Sequence, residues 1–417
     1  MPLTHRARRA VAVACAAALA LALSACAPQP SVSGEEPQQV DAALPGDAQA
    51  QLQAAVERAV AASGASGAVA GVWVPWAGTW LAGSGTVSPG GAATTADTTF
   101  KAGAITRAMT CDVLYGLAKD GVVKLDDPVT NHVPGVADQT AITLEQLCDS
   151  TAGVAAYGDL LAARFSATPE RVWNPRELVS YGLGHGASDA PGTTFADSDT
   201  GYVLLGLALE SASGRSADEL LAQYVFEPIG MTASSLPTEA QSELSGLYTP
   251  NGADGAVACG APVDMTSLSP SAGYTASGVA SDLTDLGRYA RALATGSRSY
   301  DDPERFATPR PAAGDAPSWF TADGGTYQAG TLIGQYGSIP GYLTAAFADR
   351  NTGMTVVVVL NDSRASAALV RSLAWQLAAI ASKVPATDGQ TAPAAGLPWT
   401  ADEMAAQVAA TAVCPIP

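Results

Sequence analysis

FKAGAITRAMT, residues 100–110, marks the point where the chain changes from strand-like to helical patterning. After its glycine, apolar side chains recur at every fourth position: Ile105, Met109, Val113, Leu117. This spacing places the four side chains on one face of a helix. The sequence therefore predicts a helix that begins near Ala104 and ends at Asp120-Gly121. Helical patterns continue to dominate as far as about residue 260.

Strand-like segments lie on both sides of this helical region. Before it, GAVAGVWVPW (67–76) and GTWLAGSGTV (78–87) are typical of two strands joined by a tight turn. The strands predicted after it are 325–333, 341–348 and the fully apolar MTVVVVL (354–360). Helices are predicted from about Asp47 and from about Asp362 to Ser382. We expect both ends of the chain to share one antiparallel sheet, with a helical insert as a second lobe.

The pattern predicts an α/β fold of the α+β kind, in which an antiparallel sheet flanked by helices meets an all-helical lobe across a cleft. The predicted segments are a signal peptide (1–26), a disordered linker (27–46), the folded domain (47–384) and a C-terminal tail (385–417). Within the domain, the sheet lobe is expected at about 47–100 and 265–384, and the helical lobe at about 101–264.

The first 26 residues have the pattern of an export signal. A basic start is followed by an apolar run from Ala10 to Leu23, which is too short to span a bilayer. Leu23-Ser24-Ala25-Cys26 resembles a bacterial lipobox, in which the cysteine is acylated. We therefore expect export and a lipid anchor at Cys26 on the outer face of the cell membrane. The alternative is an ordinary secretory signal with an incidental cysteine.

Charge excludes one class of partner. The formal net charge is −18 at pH 7, and a surface this acidic repels phosphate backbones, so nucleic acid is not an expected partner. His132 and His185 have no ligands at metal spacing, so neither a metal nor a cofactor is expected.

Four cysteines remain once Cys15 is lost with the signal and Cys26 carries lipid. In an exported protein this number suggests two disulfides, with three ways of pairing them. The favoured pairing is Cys111 with Cys148 and Cys259 with Cys414, which would attach the C-terminal tail to the body. The alternative is four free, buried thiols.

Seven segments occur in the order found in the serine β-lactamase and penicillin-binding-protein family, which the chain resembles over nearly all of its mature length. They are DTTFKAG (97–103), LAKDGVVKLDDPVTNHVPG (117–135), ITLEQLCDSTAGV (142–154), PGTTFADSDTGYVLLG (191–206), FEPIGMT (226–232), ASGVASDLTDLGRYARAL (276–293) and YGSIPGYLTAAF (336–347). The resemblance is to the branch of class C β-lactamases, D-alanyl-D-alanine carboxypeptidases and related esterases.

The resemblance implies three catalytic clusters. A serine that opens a helix attacks a carbonyl, and a lysine one turn later helps to take its proton. A Tyr-x-Asn on the facing lobe supplies a second proton relay. A Lys-Thr-Gly or His-x-Gly on a strand binds the substrate.

Each cluster is changed in this sequence. The nucleophile position is Ala104 and the lysine position Arg107; the Tyr and Asn positions are Asp197 and Asp199, and Gln335 precedes Tyr336-Gly337. None of the four lysines has a serine three residues before it, so the motif is not displaced elsewhere. Alanine has no nucleophilic atom, and arginine stays protonated. We expect Arg107 to form an ion pair with Asp197 or Asp199, and the aspartates to repel carboxylate substrates.

Other residues near these positions are pocket candidates: Asp149, Ser198, Gly337, Ser338. Ser198 is the alternative nucleophile, whereas Asp149 could instead be a solvated turn carboxylate. Thr106 is next to the nucleophile position but faces another side of the helix.

These residues predict a monomeric, non-catalytic protein of this family that binds an unidentified ligand or protein in the cell envelope. The alternatives are a hydrolase, such as an esterase or peptidase, with a rearranged nucleophile, and a purely structural surface protein.

Overall fold

Eight antiparallel strands form the central sheet of the protein. The computed structural model describes residues 38–136, 141–186, 189–393 and 396–416. The strands are β1 (Gly67–Val74), β2 (Gly78–Gly85), β3 (Phe100–Lys101), β4 (Leu247–Tyr248), β5 (Val263–Asp264), β6 (Ala280–Ser281), β7 (Arg310–Pro311), β8 (Phe320–Asp323), β9 (Thr326–Ala329), β10 (Leu332–Ile339), β11 (Tyr342–Asp349) and β12 (Thr355–Leu360). The order across the main sheet is β2-β1-β12-β11-β10-β9-β8-β7, so strands from both ends of the chain share it, as predicted.

The helices surround this sheet. They are α1 (Gly46–Ser63), α2 (Ile105–Lys119), α3 (Leu144–Cys148), α4 (Gly158–Ala167), α5 (Pro175–His185), α6 (Asp199–Ser213), α7 (Ala217–Leu221), α8 (Tyr274–Ser277), α9 (Leu283–Thr295), α10 (Ala367–Ala381) and α11 (Ala401–Ala410). Short 3₁₀ turns cover Val129–Asn131, Pro270–Ala272 and Pro303–Phe306, and a π turn covers Ala222–Phe226. None of the helices in the described ranges is long and apolar enough to cross a membrane.

Strand β12 is covered on both faces of the sheet. Val357 and Val359 belong to the core on the side of α2 and α9, whereas Val356, Val358 and Leu360 pack on the side of α1 and α10. A strand covered on both faces needs apolar residues at every position, which accounts for the unbroken run in MTVVVVL. The mixed architecture confirms the predicted fold class.

Helix α2 lies in the centre of the helical lobe. It begins at Ile105 and ends at Lys119, as predicted. Its apolar residues Ile105, Met109, Val113 and Leu117 are all buried. The helix is also buried on its other sides, including Arg107 and Asp112, because neighbouring helices and strand β10 surround it. Gly103, with a φ of +57°, makes the sharp entry into α2.

The ends of the domain differ from the prediction. Residues 38–46 are not part of a free linker: the Gln39 side chain donates to the carbonyl oxygens of Val74 (3.1 Å) and Gly78 (3.0 Å), and Leu44 is buried. The predicted tail contains helix α11, which packs on α10. Its first turn is fixed by Trp399, whose indole stacks on Trp375 at a centroid distance of 5.0 Å. The signal peptide and Cys26 lie outside the described residues.

The structure contains the two predicted disulfides. Cys111 of α2 is bonded to Cys148 of α3, and Cys259 is bonded to Cys414. The first is buried beneath the β8–β9 turn, where a Cβ at Gly325 would lie 2.4 Å from the Cys111 Sγ atom. The second attaches the segment after α11 to the 249–265 region.

Candidate functional site

Ala104 occupies the position where the family resemblance implies the nucleophile. It immediately precedes α2, and only 2% of its surface is exposed. Gly337 of β10 covers it: a Cβ built at Gly337 would lie 2.4 Å from the Ala104 Cβ. Only glycine fits at 337 without displacing α2 or β10. Strand β10 therefore covers the start of helix α2.

Arg107, one turn further along α2, reaches the opposite side of the site. Its Nη1 forms an ion pair with Asp197 Oδ1, so the predicted Arg107–Asp197 pair is present. The guanidinium carbon also lies 5.3 Å from the centre of the Tyr202 ring. Burial acts to lower the pKa of Arg107, but Asp197, Tyr202 and Asp199 raise it by more. The group therefore stays charged and cannot accept a proton. Within the described part of the chain, its buried Nε has no hydrogen-bond partner.

Ser198 and Asp199 shape the backbone at the start of α6. Ser198 is buried, and its Oγ accepts a hydrogen bond from Gly201 N (3.3 Å), so it is the N-cap of the helix. Asp199 accepts hydrogen bonds from Tyr157 N (2.7 Å) and Gly158 N (2.8 Å), which positions the start of α4. Burial raises the pKa of Asp199, and Arg107 offsets part of that effect. Ser198 is not placed as a nucleophile.

Strand β10 supplies the third group of positions. The side chain of Gln335 is buried; its Nε2 donates to Gly325 O (3.1 Å), and its Oε1 accepts from Tyr336 N (2.9 Å). It is therefore engaged within the protein, beneath the β8–β9 turn. Ser338, two residues after Tyr336, is exposed and lines the cleft.

Asp149 connects the two lobes and is not a solvated turn residue. Its Oδ1 accepts a hydrogen bond from Gly324 N in the β8–β9 turn (3.0 Å). Burial, with the nearby carboxylates of Asp323 and Glu145, raises the pKa of Asp149 to about 7. The residue does not line the cleft.

A cleft of about 470 Å³ lies between the lobes. Its principal polar lining residues are Arg107, Tyr157, Asp199, Tyr248, Ser277 and Ser338. Of the positions singled out in the sequence, Arg107, Asp199 and Ser338 line it, whereas Ala104, Asp149, Ser198 and Gln335 do not. Tyr157, Tyr248 and Ser277 were missed because no local motif marks them. These three residues are far apart in the sequence and meet only in the folded protein.

The hydroxyl groups of Thr106 and Ser150 are hydrogen-bonded within the fold. Thr106 Oγ1 accepts from Val279 N (3.2 Å), and Ser150 Oγ donates to the Tyr202 hydroxyl (3.0 Å). Lys101, three residues before Ala104, donates to Leu268 O (2.6 Å). Burial lowers the pKa of this lysine to about 8, against the attraction of Asp264. In the residues that the structure describes, no group of His, Cys, Asp and Glu side chains could hold a metal ion.

Comparison with known proteins decides the family. A family model described as beta-lactamase matches residues 52–380. The chain belongs to the beta-lactamase family.

Relatives in the beta-lactamase family match part of the chain. Penicillin-binding protein 4 of Amycolatopsis lactamdurans is 29% identical over 163 residues, which is 36% of this chain and 39% of that protein. The D-alanyl-D-alanine-carboxypeptidase/endopeptidase AmpH of Escherichia coli K12 is 31% identical over 32% of this chain and 36% of its own length. The matched region therefore spans less than two fifths of these relatives.

A solved structure covers more of the chain. The D-stereospecific amidohydrolase from a Streptomyces species superimposes with a TM-score of 0.67 at 26% identity. The match covers 76% of this chain and 95% of the amidohydrolase.

Proposed function

We propose that this protein is a lipid-anchored, extracytoplasmic member of the beta-lactamase family that binds a ligand or a partner protein without hydrolysing it. The observation that carries the proposal is the Arg107–Asp197 ion pair. The two residues stand at the positions where the family resemblance implies a lysine base and a tyrosine. Their charges neutralise each other, and neither replaces the lost chemistry.

The hydrolytic step lacks both of its first participants. Ala104 has no oxygen to attack a carbonyl, and its methyl group faces Gly337 in place of a substrate. Arg107 remains protonated, so it cannot activate a water molecule or a neighbouring hydroxyl as a base. Loss of the nucleophile alone lowers the turnover of serine hydrolases by about a millionfold.

The cleft remains large enough to bind a small molecule or a peptide. Asp199 lines it, and Asp159 is exposed at its mouth. Because Arg107 is paired with Asp197, these two further carboxyl groups disfavour ligands that present a carboxylate. We therefore propose a neutral or cationic ligand, and cell-envelope peptides with an amidated end are the first class to screen.

Covalent labelling tests the absence of catalysis. The full chain is incubated with a fluorescent penicillin and, separately, with a fluorophosphonate, alongside AmpH of Escherichia coli as the positive control. We expect a labelled band for AmpH and none for this protein. Ser338→Ala and Ser277→Ala variants serve as matched controls because both hydroxyl groups line the cleft.

Labelling that disappears in a single serine variant would show a rearranged nucleophile and would reject the non-catalytic proposal. Acylation at Cys26 is measured independently, by mass spectrometry of the protein purified from bacterial membranes. A mature chain whose N-terminal residue is not a lipid-modified cysteine would reject the anchor while leaving the labelling result valid.

A further inference from the structure

The two disulfides differ in how far a reagent in solution can reach them. Cys111 and Cys148 are completely buried, whereas Cys259 is exposed and its partner Cys414 is 7% exposed. Thiol–disulfide exchange requires a thiolate to reach a disulfide sulfur, so access decides which bond reacts. A reductant outside the folded protein can therefore attack Cys259, whereas the other disulfide is shielded.

The exposed disulfide holds one end of a hairpin. Residues 250–262 join β4 to β5, and we call them the hairpin tip. Hydrogen bonds within this segment shape it, such as the one from Gly252 N to Ala256 O (2.7 Å). Bonds of this kind do not attach the hairpin tip to the body of the protein. The disulfide makes that attachment covalently.

The other end of the disulfide lies on a well-anchored segment. Val413 N and Cys414 N both donate to Ala62 O, at 2.9 and 3.1 Å, near the end of α1. A Cβ at Gly64 would lie 2.9 Å from the Cys414 Sγ atom, so this sulfur packs against the C-cap of α1. Cleavage of the disulfide therefore leaves Cys414 in place and releases the hairpin tip.

Arg364 connects the hairpin tip to the cleft. Its Nη2 donates to Asn251 Oδ1 in the tip (2.7 Å), and its Nη1 donates to the hydroxyl of Tyr248 (2.9 Å). Tyr248 lines the cleft, as does Met265 after β5, so the residues that flank the hairpin belong to the cleft wall. When the tip moves, Arg364 loses a partner that fixes its guanidinium, and the Tyr248 ring is held less firmly.

We propose that Cys259–Cys414 is a redox-modification site, reduced by a dithiol protein of the cell envelope, and that its reduction loosens the Tyr248 wall of the cleft. The partner class is a thiol–disulfide oxidoreductase with two neighbouring cysteine thiols. The assignment rests on the extracytoplasmic location and the ligand cleft of the proposed function.

The exchange has two steps. A thiolate of the partner attacks Cys259 Sγ: a partner–Cys259 disulfide forms, the Cys259–Cys414 bond breaks, and Cys414 leaves as a thiolate that takes up a proton. The partner's second thiolate then attacks the partner's own sulfur in the mixed disulfide and releases Cys259, which is protonated in turn. This protein has gained two electrons and two protons, and the partner's dithiol has become a disulfide.

Dithiothreitol, a small dithiol, tests the selectivity of reduction on the folded full chain. Aliquots are alkylated with N-ethylmaleimide at increasing times, and mass spectrometry of the peptides measures each cysteine. We expect Cys259 and Cys414 to be modified at least about tenfold faster than Cys111 and Cys148. Equal rates for the two disulfides, or reduction of Cys259–Cys414 only once the protein unfolds, would overturn the proposal.

Hydrogen exchange and tyrosine nitration measure the structural consequence. The Cys259→Ser/Cys414→Ser variant lacks the bond and adds no alkyl group. Amides of its hairpin tip should exchange at least about tenfold faster than in the oxidised wild type, whereas those of β12 should not change. Tetranitromethane should nitrate Tyr248 at least about threefold faster. Tyr157, whose hydroxyl donates to Ala272 O (2.8 Å), is the internal control and should stay unreactive.

Two comparisons separate the disulfide from the Arg364 connection. The wild type reduced with dithiothreitol should show the same tip exchange as the double serine variant, which should not respond to dithiothreitol. Asn251→Ala keeps the disulfide and removes the acceptor of Arg364, so it should speed nitration of Tyr248 with a smaller change in tip exchange. Asp388→Asn, on an exposed loop elsewhere, is the control and should match the wild type.

Unchanged exchange in the hairpin tip after loss of the disulfide would overturn the proposal, and so would unchanged nitration of Tyr248. None of these measurements depends on covalent labelling of the cleft or on the lipid anchor, so this proposal and the proposed function fail separately.

Discussion

The contact between Ala104 and Gly337 shows how closely single residues are fitted where α2 meets β10. A Cβ at 337 would lie 2.4 Å from the Ala104 Cβ, well inside van der Waals contact. The two residues come from different lobes, so this contact also determines how closely α2 approaches β10.

We predict that Gly337→Ala destabilises the protein by about 1–3 kcal/mol because the added methyl group overpacks the interface. Ala104→Gly should rescue much of this loss in the double variant, and urea unfolding of the four proteins measures the coupling. The matched control is Gly334→Ala, whose added Cβ would meet Ala346 O at 2.1 Å. Ala104→Gly should not rescue it, and equal rescue of both variants would contradict a specific contact.

The raised pKa of Asp149 leads us to predict that the stability of the folded protein depends on pH. Its pKa is raised to about 7 in the folded protein, compared with about 3.9 in an unfolded chain. Between these values the folded state holds a proton that the unfolded state releases, so this residue lowers stability as the pH rises from 4 to 7.

Asp149→Asn removes the ionisation and keeps an acceptor for Gly324 N. It should match the wild type near pH 4 and exceed its unfolding free energy by about 1–3 kcal/mol near pH 8, a figure reduced for partial exposure. Chemical denaturation across this range measures the difference, with Asp388→Asn as the control. A gain that is the same at both pH values would contradict the assignment.

At the scale of elements, helix α11 behaves as part of the core. Met404 and Val408 are buried, and the Trp399 indole donates a hydrogen bond to Trp375 O (2.9 Å). The sequence analysis did not predict this helix, because Ala401–Ala410 is only ten residues long and follows a Pro/Ala-rich stretch. Its apolar pattern is too short to indicate a buried helix. A capping box formed by Thr400 and Glu403 was the local signal that could have identified it.

Deletion of residues 397–417 should therefore destabilise the protein more than Cys414→Ser alone. Loss of the disulfide accounts for about 2–4 kcal/mol, and the deletion also removes the buried Trp399, Met404 and Val408 side chains. Thermal and urea unfolding under oxidising conditions compare the two variants. Equal stability would mean that α11 contributes nothing beyond the cross-link.

For the whole molecule, the sequence predicted that strands from both ends of the chain share one antiparallel sheet, because apolar periodicity indicates which segments are buried. It could not show which distant polar residues meet. Asp112 is completely buried in α2 and accepts hydrogen bonds from Arg298 (2.6 Å) and Tyr289 (2.8 Å), with Arg305 as a further partner. These partners lie 177 to 193 residues away along the chain.

The candidate site likewise has some features that the sequence could predict and others that it could not. Ala104, Arg107, Asp197 and Asp199 were singled out in the sequence by their place in the motif order. The Arg107–Asp197 pair could be predicted from opposite charges on facing lobes. The roles of Ser198 as a helix cap and of Asp149 as a link to Gly324 depend on backbone geometry. A motif comparison contains no information about that geometry.

The Arg107–Asp197 pair also restricts how this site could change during evolution. Replacing Asp197 with tyrosine first would leave the buried Arg107 without its ion-pair partner. The cost is below the ~3–5 kcal/mol typical of a fully buried pair because 42% of the Asp197 side chain is exposed. Replacing Arg107 with lysine first keeps a positive charge opposite Asp197, so the ion pair favours one order of substitution, lysine before tyrosine.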